Sequence, residues 1–152
     1  MNNIVITEIH LAARLFRSGI LKYFNNEELN FYITDFCYDH TLIAHNYDRA
    51  HTKLMLDEGM LKVVGLNELQ MSAMANLHRQ YKPKFIIKTI SALVFARDSR
   101  FKLISEDELL REVARKDLNV QSYNKEWLIT TLVNEITMMG VSIDINDVKE
   151  II

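Results

Sequence analysis

Three short apolar runs in the sequence are each followed directly by side chains that carry a hydroxyl or a carboxyl group. They are Thr7 and Glu8 after Ile4–Ile6, Thr34 and Asp35 after Phe31–Ile33, and Ser105, Glu106 and Asp107 after Phe101–Ile104. If the groups converge, their carboxylates repel one another unless a cation lies among them, and hard divalent cations prefer oxygen ligands. Alternatively, these acids stabilise the first turns of helices through the helix dipole. The spacing alone leaves both interpretations open.

The elements that must position these groups follow from the pattern between the runs, where apolar residues recur at helical spacing. Short apolar strands that alternate with helices are typical of a parallel sheet covered on both faces. We therefore expect Ile4–Ile6, Phe31–Ile33 and Phe101–Ile104 to lie side by side as parallel strands. Ligands of such folds bind beyond the carboxyl ends of the strands, which is where the polar groups follow.

Two helix starts are indicated by capping boxes, in which a cap residue is followed three positions later by Glu or Gln. One is Asn67 with Gln70, which opens a helix that is expected to carry Leu69, Ala73 and Leu77 on one apolar face. The other is Ser105 with Glu108. The single proline, residue 83, is expected to start a further helix.

Composition limits the class of protein. The 152 residues carry a net charge of −2 and fit one domain over residues 1–152. Any nucleic-acid contact therefore needs a local basic patch. Cys37 is the single cysteine, which excludes an internal disulfide and favours a reducing cytoplasm. No apolar run approaches the roughly 20 residues of a membrane span, and no signal peptide is recognisable.

Several segments occur in a characteristic order along the chain. They are Glu8 to Leu21, Tyr32 to His40, Thr89 to Ala96, Lys102 to Arg111 and the tail Glu126 to Ile129. In order and spacing they resemble the PIN domain family. The resemblance implies one three-layer α/β domain with a central parallel sheet of about five strands, flanked by helices. It also implies a ribonuclease dependent on Mg²⁺ or Mn²⁺, often the toxin of a toxin–antitoxin pair.

The family's four acidic positions fall, residue by residue, on Glu8, His40, Thr89 and Asp107, with Ser105 as a neighbouring hydroxyl. Two of the four carboxylates are therefore missing. Glu8 and Asp107 are the expected metal ligands, His40 a softer ligand or a phosphate donor, and Thr89 a supporting hydroxyl. With few carboxylates to neutralise it, Mg²⁺ or Mn²⁺ is expected to bind weakly or not at all.

Two functions remain open from the sequence. The first is a PIN-like domain derived from ribonucleases, with weak or lost nuclease activity. The second is a non-catalytic module that binds a protein partner, such as an antitoxin, or RNA on the same fold. The resemblance further implies a homodimer, for which Met138, Met139 and Trp127 can supply an apolar patch.

Overall fold

A computed structural model describes residues 2–41 and 46–152, with the backbone alone for residues 39–41 and 46–48. Within this part five strands form one sheet, and each runs parallel to its neighbours. The strands are β1 (Asn2–Ile6), β2 (Leu29–Thr34), β3 (Leu61–Val64), β4 (Lys102–Ile104) and β5 (Ser122–Tyr123). Their order across the sheet is β3-β2-β1-β4-β5. The predicted parallel arrangement of the three apolar runs is confirmed, with β1 between β2 and β4.

Helices cover both faces of the sheet. In the described part they are α1 (Ile9–Ser18), α2 (Asp35–Thr41), α3 (Asn46–Asp57), α4 (Glu68–Tyr81), α5 (Ile87–Ser99), α6 (Glu108–Asp117), α7 (Lys125–Met138) and α8 (Ile145–Ile151). On one face α1 packs against α3 and α8, and α7 contacts α8. On the other, α5 packs along β1, β2 and β4 and contacts α4. The three-layer α/β architecture with a central parallel sheet is thus confirmed.

The core is centred on β1 and β2. Val5, Ile6, Phe31 and Ile33 are all 0% exposed. Strands covered on both faces carry continuous apolar runs rather than alternating ones, which is why these segments are recognisable in the sequence. None of the described helices combines the length and the apolar character needed to cross a membrane.

The two predicted capping boxes have different outcomes. The first is confirmed, because the Gln70 N–H donates to Asn67 Oδ1 at 2.8 Å and the Asn67 N–H donates to Gln70 Oε1 at 3.0 Å. The second prediction is wrong, because Asp107 caps α6, its Oδ1 accepting the Leu110 N–H at 3.2 Å. Ser105 is still buried beside the sheet, so the helix begins only after the chain has left the strand.

Two further expectations on the α4–α5 segment are also wrong. Pro83 does not start a helix but lies in the turn between α4 and α5, and α5 begins at Ile87 because buried Phe85 first anchors the connection. Leu69 is 84% exposed instead of lying on the apolar face of α4. It precedes the buried Met74 by five positions, which turns it about 140° away around the helix.

A phenol–carboxylate hydrogen bond connects α4 to α6. The Tyr81 hydroxyl donates to Asp117 Oδ2 at 2.5 Å, and this bond raises the pKa of Tyr81 to about 12. Because the folded pKa lies above the ordinary value of 10.0, the bond stabilises the fold fully below that pH and is lost as pH rises from 10.0 towards 12. We expect one tyrosine to ionise last in an ultraviolet phenolate titration. Tyr81→Phe should remove that late phase, and its survival in the variant would contradict the assignment.

Candidate functional site

The carboxyl ends of three adjacent strands bring the candidate residues to one edge of the sheet. Ile6, the last residue of β1, pairs in register with Ile104, the last residue of β4. Glu8 and Asp107 therefore both follow strands that end side by side. On the other side of β1, Thr34 ends β2, and Asp35 begins α2 immediately after it.

Buried hydroxyls fix the start of α5 over the end of β2. Thr34 Oγ1 and Ser91 Oγ are 2.7 Å apart and share a hydrogen bond, and Thr34 Oγ1 also accepts the Cys37 N–H at 3.3 Å. The Cys37 thiol donates to the Lys88 carbonyl at 3.3 Å. Thr89 lies between Lys88 and Ser91 in the first turn of α5 and is half-buried.

Cys37 is a packing residue in this network. Its side chain is 0% exposed, and burial raises the pKa of the thiol, with hydrogen bonds from Thr34 and Ser91 acting in the opposite direction. A thiol held in this way stays protonated and poorly reactive. Ser91 was not predicted as a site residue. A serine one turn into a mostly apolar helix indicates a buried hydroxyl that needs a hydrogen-bond partner, which here is Thr34.

Glu8 and Asp107 have different surroundings at this edge. Asp107 is exposed but caps α6, so one of its oxygens already accepts a helix amide. Glu8 is exposed and precedes α1, yet its side chain makes no capping hydrogen bond. Asp107 therefore stabilises the start of α6 as a hydrogen-bonded cap, whereas Glu8 stands at the start of α1 without a capping hydrogen bond. Glu106 is also engaged, accepting the Lys125 N–H at 2.5 Å.

A cavity of about 200 Å³ opens beside Glu8, between β1, β4, α1 and the start of α7. Its floor includes Leu11 and Ile104, and its polar lining includes Arg14 and Lys125. Arg14 is half-buried. These two cations were not predicted as site residues. Arg14 lies in α1, the helix that Glu8 begins, and Lys125 begins α7.

The remaining predicted residue, His40, lies in α2, and its side chain is outside the described part of the chain. Among the side chains that are described, no three of His, Cys, Asp or Glu come together in a way that could hold a metal ion. Glu8 and Asp107 are the two carboxylates available at the predicted positions, and Asp107 is shared with a helix amide. Two carboxylates, one of them shared, supply few of the oxygen ligands that Mg²⁺ takes in its near-octahedral coordination, and they offset little of its charge.

The fold matches a solved structure over most of both chains. A PilT N-terminus domain protein from the hyperthermophilic archaeon Sulfolobus solfataricus P2 superposes with a TM-score of 0.56, covering 86% of this chain and 93% of that chain. The fold is PIN-like. The two sequences are 21% identical, so the match concerns the PIN-like fold alone. No protein-family model matches the sequence, and no curated protein matches it.

Proposed function

We propose that this chain is a PIN-like domain derived from metal-dependent ribonucleases, with weak or lost nuclease activity. The observation that supports it most directly is the donor set at the carboxyl edge. Glu8 and Asp107 offer carboxylates, whereas Thr89 presents a hydroxyl where the family has an acid. Mg²⁺ or Mn²⁺ at such a site is held weakly, since few negative charges offset its charge.

The electrostatic reason concerns the phosphate as well as the metal. Phosphodiester hydrolysis at a site of this kind relies on the cation to neutralise the phosphate and to activate water. Lys88, next to Thr89, places a positive charge near the same edge, where its charge acts on Cys37 together with that of Glu8. A fixed lysine binds a phosphate but does not activate water, so it favours binding over cleavage.

The test is RNA cleavage by the native protein with Mg²⁺ or Mn²⁺, compared with the Asp107→Asn variant. Asn is as good a helix cap as Asp, so this substitution removes the charge and keeps the cap of α6. We expect slow or no cleavage by both proteins on labelled single-stranded RNA. Robust Mg²⁺-dependent cleavage by the native protein that Asp107→Asn abolishes would overturn the proposal.

The second candidate function, a non-catalytic interaction module for a protein partner or RNA, is favoured by the charge distribution. Residues 69–97 contain five basic residues and no acidic one. A cytoplasmic location also remains a prediction.

Of the three residues predicted to form an apolar patch for a homodimer, two are exposed. Met138 and Met139 are 87% and 46% exposed. Trp127, by contrast, is half-buried and stacks on Tyr123, with the two ring centroids 3.9 Å apart. The Lys102 ammonium group also lies over the Trp127 ring, 5.5 Å from the ring centroid. The Met pair is thus the part of the predicted patch that is open to a second copy, and the homodimer stays a prediction.

A further inference from the structure

Charge is strongly segregated along this chain. The five basic residues of residues 69–97 leave 13 basic against 20 acidic residues elsewhere, so a segment of net charge +5 sits in a chain whose remainder has net charge −7. A protein with a net charge of −2 does not attract polyanions as a whole, but a segregated basic surface attracts acidic partners locally.

The exposed part of this segment is the connection between α4 and α5 together with the first two residues of α5, residues 82–88, which we call the lysine loop. Lys82 and Lys84 are exposed, and Ile86 and Ile87 are 58% and 37% exposed. Phe85 points inwards and is 4% exposed, so it anchors the loop to the core. The loop therefore presents two exposed isoleucines that are adjacent in the sequence and are preceded by two exposed lysines.

The lysine loop lies beside the candidate site. Its last residue, Lys88, accepts the Cys37 thiol through its carbonyl, and Ser91, one turn further on, is bonded to Thr34 at the end of β2. Thr89 follows the loop directly. A partner that binds the loop therefore sits near the carboxyl end of β2 and next to Thr89 in the chain.

We propose that the lysine loop is a docking surface for an acidic protein segment that carries apolar side chains. The acidic groups pair with Lys82 and Lys84, and the apolar side chains cover Ile86 and Ile87. This inference goes beyond the proposed function, because it holds whether or not any RNA cleavage survives.

The side chains of this surface favour a protein segment over nucleic acid. Lysines bind phosphate groups, but proteins that bind single-stranded RNA also stack its bases on aromatic rings, and this stacking supplies much of the affinity beyond the electrostatic part. The three aromatic residues of the segment pack elsewhere. Tyr81 lies against Phe85 and bonds Asp117, Phe85 is buried, and Phe95 lies beside Phe101. What the loop presents around its lysines is aliphatic, and an apolar centre with a charged rim is the composition of protein–protein contacts.

The test compares three fluorescent probes by anisotropy at physiological salt. They are a synthetic peptide with Glu on one helical face and Leu on the other, a single-stranded oligouridine, and phosphatidylserine-containing vesicles. We expect the native protein to bind the peptide more tightly than the other two probes. Replacing the leucines of the peptide by serine should weaken binding by about tenfold, since Ile86 and Ile87 are then left uncovered.

Protein variants separate the two parts of the surface. Lys82→Glu/Lys84→Glu and Ile86→Ser/Ile87→Ser should each weaken peptide binding by about tenfold or more. The matched controls are Lys22→Glu/Lys116→Glu, which changes net charge equally, and Met138→Ser/Met139→Ser, which removes apolar surface elsewhere. Both controls should bind like the native protein. Circular dichroism and thermal unfolding show whether each variant is folded.

Several results would overturn the inference. They are tighter binding of the oligonucleotide or the vesicles than of the peptide, no binding of any probe, and equal losses in the loop variants and the controls. None of these results bears on the proposed function, which RNA cleavage tests separately.

Discussion

The double variant Thr89→Asp/His40→Glu is expected to bind Mn²⁺ at least tenfold more tightly than the native protein, a difference of about 1.4 kcal/mol or more. The reason is electrostatic, because each added carboxylate supplies a negative oxygen ligand to a doubly charged cation. Thr89 lies half-buried in the first turn of α5, where an acid is also compatible with the helix dipole. The same variant is expected to cleave RNA faster than the native protein with Mn²⁺ present.

Calorimetric titration of Mn²⁺ and Mg²⁺ measures this effect, with each single substitution alongside the double one. The matched control for the single Thr89→Asp variant is Thr137→Asp, which adds the same charge at the opposite edge of the sheet. There α7 ends, and Glu135 accepts a hydrogen bond from Asn2, at the start of β1, at 2.9 Å. If Thr89→Asp gains no affinity over this control, and the double variant gains none over Thr89→Asp, the predicted positions do not form one site. The interaction module would then become the favoured function.

Phe31→Ala is expected to lower the free energy of unfolding by about 3–5 kcal/mol. Phe31 lies in β2 and is 0% exposed, so its truncation removes a buried ring and leaves a cavity between the helical layers. Domains of this kind are stable by only about 5–15 kcal/mol, so the loss is a large part of the total. Urea denaturation followed by circular dichroism gives the value.

Leu69→Ala is the control for that substitution. Its side chain is 84% exposed on α4, so truncation should change the unfolding free energy by no more than about 0.5 kcal/mol. A comparable loss in both variants would mean that burial does not distinguish the two positions. A loss below about 1 kcal/mol for Phe31→Ala would place that ring outside the core.

The strands were predictable because their signal is local. Ile4–Ile6 and Phe31–Ile33 are short apolar runs next to polar groups, and central parallel strands need that composition on both faces. The residues at which the helices begin were harder to predict than the strands. Asn67 caps α4 as predicted, but Asp107 replaces Ser105 as the cap of α6, since the point at which the chain leaves the sheet depends on how deeply Ser105 is buried.

The site was predictable only in part. The residue types after each strand indicate which groups reach the carboxyl edge, because parallel strands end together. The sequence does not indicate whether the side chains of these residues are already hydrogen-bonded to the backbone. Asp107 is engaged by a helix amide and Glu8 is not, and no pattern in the sequence distinguishes the two. Lys125 lines the cavity beside Glu8 although the two residues are far apart in the chain, and only the folded structure brings them to one cavity.

The sequence by itself determined the apolar runs, the alternation of strands and helices, and therefore a parallel sheet with polar groups at its carboxyl edge. These features depend on neighbouring residues and on side-chain periodicity. Tertiary structure alone decided the strand order, the Thr34–Ser91 hydroxyl pair at the start of α5, and the exposure of Ile86 and Ile87. Those features depend on which distant segments pack together, because burial and hydrogen-bond partners are properties of the folded chain and not of any local window.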